Sequence, residues 1–208
     1  MSFLQTSELK STILITGGAS GIGFSLAKRF IALGHEVIVC GRRLEQLALA
    51  KSEAPSLRTI QADLSTDEGR KALHEAIMRD FPKINVLINN AGIAIGEPVP
   101  LKDTTDADWK MNKLVIATNL EGPIHLSMLF LNHFLQQKNA LIVNVSSLAA
   151  FIPFAMYPTY CATKGKYPLC PSFYTGCVLI VPYQFPLQPD CTLSHKPYAS
   201  NARALPSG

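Results

Sequence analysis

The chain has 208 residues, 48% of them hydrophobic and 16% charged, which is enough to bury a single-domain core and too apolar for a disordered chain. Its net charge of +4 has no basic stripe behind it, because Lys10, Lys28, Arg29, Arg42, Arg43 and Lys51 are scattered, so a nucleic-acid partner is not expected. The five cysteines (Cys40, Cys161, Cys170, Cys177, Cys191) show neither a CxxC pair nor metal spacing, and an odd count suits a reducing cytoplasm.

Met1 to Lys10 mixes Ser, Gln, Glu and Lys and lacks the apolar stretch of a signal peptide. Thr12–Thr16 reads as a buried strand, and Ile22–Leu33 as a helix with Ile22, Leu26, Ala27, Phe30 and Leu33 on one stripe. The rhythm repeats with a strand at Glu36–Cys40, a helix at Leu44–Glu53, a strand at Leu57–Ala62 and a helix at Asp67–Asp80. A strand at Asn85–Ile88, one long helix at Asp106–Gln137 and a strand at Leu141–Val145 complete the series. The strands are apolar throughout rather than alternating, as a parallel sheet covered on both faces requires. The expected fold is therefore α/β: a Rossmann-type doubly wound parallel sheet of five recognisable strands, with ligands at the carboxyl ends of the strands.

Every chemical motif falls at such an end. Thr16-Gly17-Gly18-Ala19-Ser20-Gly21-Ile22-Gly23 joins the first strand to the first helix. Gly17 permits a tight turn, Gly21 and Gly23 let backbone N–H groups approach a pyrophosphate, and the helix N-terminus faces the charge. A plain strand–helix connection is the alternative. Leu26 stands where a third glycine of GxGxxG would be. After the second strand, Arg42 and Arg43 replace the acidic residue that would bind a ribose 2′-hydroxyl, which favours a 2′-phosphate and hence NADP(H), with NAD(H) as the second option. A solvated arginine pair at a helix start is the alternative there.

Asp63-Leu64 ends the third strand, and Asp63 suits either an adenine amino group or a helix N-cap. Asn89-Asn90-Ala91-Gly92 ends the fourth, its small residues letting backbone lie against a flat ring. Beyond the fifth strand come Ser146-Ser147, then Tyr160 and Lys164, which share a helix face at i and i+4. An ammonium beside a phenol stabilises the phenolate and brings an ordinary pKa of about 10 towards working range. A serine hydroxyl can hold a carbonyl oxygen beside that phenol.

Taken together and in this order, these residues resemble the short-chain dehydrogenase/reductase family. The segments ITGGASGIG, VLINNAGI and IVNVSS are most similar to its DltE-like oxidoreductase subgroup. The resemblance covers residues 10–164. It implies a catalytic tetrad of Asn119, Ser147, Tyr160 and Lys164, with Ser147 selected over Ser146 by its thirteen-residue distance from the tyrosine. It implies cofactor contacts at Thr16, Gly17, Ser20, Gly21, Ile22, Gly23, Arg42, Arg43, Asp63, Leu64, Asn90, Ala91, Gly92, Tyr160 and Lys164. It also implies a small carbonyl or alcohol substrate and a homo-oligomer.

The family pattern stops after Lys164. Residues 165–208 hold seven of the fourteen prolines and only four charged residues, Lys166, Asp190, Lys196 and Arg203. The domain reading is 1–164 as a truncated NAD(P)-binding domain and 165–208 as an irregular tail. Its longest apolar run, Cys177–Val181, is far short of the ~20 residues of a membrane span. Gly165-Lys166-Tyr167 can be encoded GGT AAG TAC, which contains an intron-start hexanucleotide, so the tail reads as translated intron. Pro168 should end the Tyr–Lys helix near Lys166. Val178–Val181 is the one strand candidate there, positioned to pair with the fifth strand. Two functions follow as expectations: an NADP-preferring cytoplasmic oxidoreductase, or a catalytically inactive truncated isoform that at most binds dinucleotide.

Overall fold

A computed structural model describes residues 10–97, 105–137, 139–165 and 178–182. Most of the 165–208 tail therefore lies outside the described residues.

Four strands, β1 (Thr12–Thr16), β2 (Glu36–Gly41), β4 (Ile84–Asn89) and β5 (Leu141–Val145), form the sheet interior together with a shorter edge strand, β3 (Arg58–Gln61). All five run parallel. A sixth strand, β6 (Val178–Pro182), runs antiparallel along β5, with Val145 opposite Val178 and Leu141 opposite Pro182. The sheet order is β3-β2-β1-β4-β5-β6. The Val178–Val181 run thus covers the β5 edge, and an antiparallel neighbour needs no crossover helix.

Alternate side chains of each strand feed two cores. Ile13, Ile15, Val37, Val39, Val86 and Ile88 pack with Phe24 and Ala27 of α1 (Gly21–Ala32) and with Leu47 and Ala50 of α2 (Leu44–Glu53). Leu14, Ile38, Cys40 and Leu87 pack on the opposite face with Leu73 and Ile77 of α3 (Asp67–Asp80) and with Leu126, Phe130 and Phe134 of α5 (Gly122–Leu135). Both faces are covered, which is why the strands carry no polar alternation. Edge strand β3 is only half-buried, and its Arg58 and Gln61 reach solvent.

Two details of the sequence reading need correction. The α1 stripe is shifted: Phe24 is buried, whereas Ile22 is 68% and Leu33 43% exposed. Leu33 lies beyond the last turn, and Ile22 faces a cleft rather than the core. The long helix is also interrupted. It divides into α4 (Asp106–Ile116), a π-helical turn (Ala117–Glu121) and α5. Pro123 is the cause, because it has no N–H for the carbonyl four residues back and its ring crowds that turn. The Gly122 N–H bonds instead to the Ala117 carbonyl, five residues back. Asp106–Leu135 is long and apolar enough to pass as a membrane span by composition, yet Leu126, Phe130 and Phe134 are spent on the sheet core.

The chain leaves β1 towards β2 and β3 on one side and returns to β4 on the other. The switch in direction therefore opens a crevice between the carboxyl ends of β1 and β4, where a ligand of this architecture sits.

Candidate active site

At that crevice lies a cleft of about 600 Å³. Its floor and walls include Gly17, Ser20, Ile22, Gly23, Arg42, Arg43, Asp63, Leu64, Asn90, Ala91, Gly92, Tyr160 and Lys164. Thirteen residues selected from sequence therefore share one surface, from the arginine pair at one end to the tyrosine–lysine pair at the other.

The glycine-rich loop is shaped by contacts. Gly17 has φ +63°, and a methyl there would lie 2.9 Å from the Ala91 Cα. Only glycine meets both conditions without strain. At Gly23 a methyl would lie 2.5 Å from Asn90 Nδ2 and 2.7 Å from the Gly17 carbonyl, so this glycine also serves to pack helix against loop. Asn90 donates its Nδ2 to the carbonyls of Thr16 and Gly17 at 2.9 and 3.3 Å, fastening the β4 loop to the β1 loop. Thr16 lies beneath rather than on the cleft wall. Its buried Oγ1 accepts from the N–H of Asn90 at 3.0 Å and of Ala91 at 2.9 Å. Gly21 opens α1 at φ +54° with nothing close by.

The N-terminus of α1 points its donors at the cleft. Ser20, at the N-cap, makes no side-chain capping bond, and the first turn carries no acidic residue. The positive end of the helix is thus left for an outside anion. Beside it Cys40 is fully buried, and burial pushes its thiol up to about 12, so it stays protonated.

Asp63 does not cap α3. That position belongs to Thr66, whose hydroxyl accepts from Gly69 N. The Asp63 carboxylate instead accepts from the N–H and hydroxyl of Ser65 at 2.9 and 2.7 Å. Burial alone would raise its pKa, but the two Ser65 bonds and the Arg42 charge prevail, and the group lies below the usual carboxylate range. Asp63 is therefore an anion facing the same end of the cleft as Arg42.

At the far end, α6 (Pro158–Gly165) carries both Tyr160 and Lys164, and the expected helix end near Lys166 lies outside the described residues. Lys164 is 5% exposed, its Nζ lies 5.7 Å from the Tyr160 ring centroid, and it donates to the Val145 carbonyl at 3.1 Å. Burial lowers its pKa from the ordinary lysine value. Gly92 makes room here, since a methyl on it would reach within 3.4 Å of Lys164 Nζ and 3.5 Å of Asn119 Oδ1. Asn119, fully buried in the π turn, bonds both backbone groups of Ile93 at 2.8 Å and donates to Thr163 Oγ1 at 3.2 Å. It thereby ties the β4 loop to the helix of Tyr160. Ser146 lines the cleft, whereas Ser147 caps a short 3₁₀ turn (Leu148–Ala150), its Oγ accepting from Ala149 N at 3.2 Å.

One contributor escaped the sequence reading. The Glu97 carboxylate accepts from Thr159 N at 2.8 Å and from Asn112 Nδ2 at 3.1 Å, while its own N–H bonds the Met156 carbonyl at 2.8 Å. It supplies an anion to the first turn of α6 from 62 residues away.

The short chain dehydrogenase family profile matches residues 11–167. The chain is 46% identical over 155 residues to the uncharacterized oxidoreductase DltE of Bacillus subtilis, covering 74% of this chain and 60% of that protein. It is 34% identical over 158 residues to serine 3-dehydrogenase of Agrobacterium fabrum, covering 76% and 61%. Among solved structures it is similar to a metagenomic short-chain oxidoreductase in complex with NADP, at TM-score 0.68 and 29% identity, covering 76% of this chain and 71% of that one. The chain thus spans about three-fifths of the curated relatives it matches. With the sheet order, the glycine loop and the Tyr160–Lys164 pair on one cleft, these matches make the chain a member of the short-chain dehydrogenase/reductase family of oxidoreductases.

Proposed function

We propose that the chain is an NADP-preferring oxidoreductase interconverting a carbonyl and an alcohol. The observation that carries the reading is the continuity of the cleft from Arg42 and Arg43 to Tyr160 and Lys164. The residues fit the cofactor: α1 offers an uncapped N-terminus to a pyrophosphate, and the arginines offer guanidinium groups to a 2′-phosphate. The metagenomic relative was crystallised with NADP, which supports the same choice. Bound here, the nicotinamide would supply or accept hydride. Tyr160 holds the proton exchanged with the substrate oxygen, and Lys164 lowers the cost of its phenolate. Ser147 orients that oxygen, and Asn119 keeps Ile93 and α6 in place. Residues 1–164 act as the dinucleotide domain, in a cytoplasmic protein.

A second reading has its own support. Because the family match stops at residue 167 and the proline-rich stretch after it departs from the family pattern, a non-catalytic isoform that only binds dinucleotide is the rival. Titration with NADPH and NADH, followed by a carbonyl-substrate screen, separates the two. On the first reading NADPH binds and is oxidised, and Tyr160→Phe abolishes turnover while keeping binding. Arg42→Asp with Arg43→Leu weakens NADPH and spares NADH; equal loss for both cofactors would reject the arginines as phosphate readers.

A further inference from the structure

Among the described residues, one lysine and one arginine are buried: Lys164 in the cleft and Arg70 outside it, on α3. Arg70 is 3% exposed, and every partner it has is aimed. Its Nη1 donates to the Leu64 carbonyl at 2.8 Å and its Nε to His125 Nδ1 at 2.9 Å, and its Nη2 pairs with the Asp67 carboxylate. A guanidinium only donates, so His125 Nδ1 is the acceptor of this bond. The three partners stand on three different pieces: the loop after β3, the first turn of α3, and α5.

Leu64, the partner on that loop, lines the cleft together with Asp63. Gly122 at the start of α5 leaves this carbonyl room, since an added methyl would approach it to 3.3 Å. Arg70 is buried on the same helix as Leu73 and Ile77, which belong to the apolar core between α3 and α5. A hydrophobic side chain would fill such space without the desolvation cost of a charge, so stability alone does not account for an arginine here. Three directed bonds do account for it, because they fix where the loop stands.

We propose that Arg70 is a positioning residue for the adenine half of the cleft, setting the Asp63–Leu64 wall through the Leu64 carbonyl. The inference rests on the dinucleotide reading given under Proposed function. It is distinct from it, because Arg70 is not itself one of the residues that line the cleft.

The test uses the full chain and half-ligands. Dissociation constants are measured for NADPH, for adenosine 2′,5′-bisphosphate and for reduced nicotinamide mononucleotide, with the parent, Arg70→Met and Arg70→Lys. Losing one aimed, charge-assisted bond predicts about tenfold weaker binding of NADPH and of the bisphosphate in Arg70→Met. The nicotinamide half should bind as it does to the parent. A purely structural role would weaken both halves together or neither, and either result overturns the proposal. If Arg70→Met loses its cooperative unfolding transition, Arg70→Lys is judged by the same criterion, as one ammonium cannot span all three partners. Collapse of both variants makes Arg70 a residue of the fold and also overturns it. A parent that binds no NADPH brings down the dinucleotide reading itself, and this inference with it.

Discussion

Thr16→Val is the most discriminating test of how the two cleft loops are joined. Valine keeps the shape of the side chain and removes only the hydroxyl. In the native protein that hydroxyl accepts from Asn90 N at 3.0 Å and Ala91 N at 2.9 Å and lies 3.4 Å from the Ile88 carbonyl, at a residue 1% exposed. The Asn90 N–H has a second acceptor, the Ile88 carbonyl at 3.0 Å, so it does not go unpaired. Among the described residues the Ala91 N–H bonds Thr16 Oγ1 alone, and leaving one donor unpaired costs about 1–3 kcal/mol. Because Ala91 is half-buried and water has partial access, the lower half of that range, about 1–2 kcal/mol, is expected. Thr16→Ser is the control, retaining the oxygen and losing a methyl worth about 1 kcal/mol. Urea unfolding at unchanged m-value should therefore show Thr16→Val less stable than the parent by this amount, and NADPH affinity should fall with it because Ala91 lines the cleft. A Thr16→Val protein as stable as the parent, or one that binds NADPH as tightly, would refute the argument that this hydroxyl organises the loop.

Two further outcomes follow from the geometry. Gly17→Ala and Gly21→Ala both force alanine into positive φ, at about 1–2 kcal/mol each, but only Gly17→Ala also meets Ala91, so thermal unfolding should drop further for it; equal drops would disprove the contact. Burial lowers the folded-state pKa of Lys164 below 10.5, so the unfolded chain binds more protons between that lowered value and 10.5, and stability should rise with pH across this window. Lys164→Met removes the titrating group, and urea unfolding over the same pH range should lose that part of the rise; an unchanged slope would show that Lys164 is not the source.

The features readable in the sequence were those whose partners lie close along the chain or repeat at fixed spacing. The strand–helix rhythm, the glycine loop, Asn90-Ala91-Gly92 and the Tyr160–Lys164 pair belong to this class. Ile22 shows the limit of periodicity: its place on a helical stripe predicts burial, but the first turn of α1 overhangs the cleft and leaves it exposed. Pro123 carried a readable signal of the break in the long helix, since proline inside a helix removes a bond. Glu97 and Arg70 carried none. Their distant partners, Thr159 and His125, lie 62 and 55 residues away, and only the sheet order brings a β4-loop carboxylate to α6 or α3 to α5.

The π turn at Ala117–Glu121 has a consequence for how this chain tolerates change in length. Each residue of a regular helix advances the side chains by about 100° around the axis. The turn holds one more residue than an α-helical turn would, so it acts as a built-in phase offset between α4 and α5. Deleting one residue within the turn would restore a regular helix with both faces kept, whereas winding all of the present residues into a regular helix would rotate all that follows by about 100°. Either Leu126, Phe130 and Phe134 would swing off the sheet, or Asn119 would turn away from Ile93 and Thr163. The two ends of this helical segment answer to different surfaces, one a site and the other a core, and the extra residue keeps both in register.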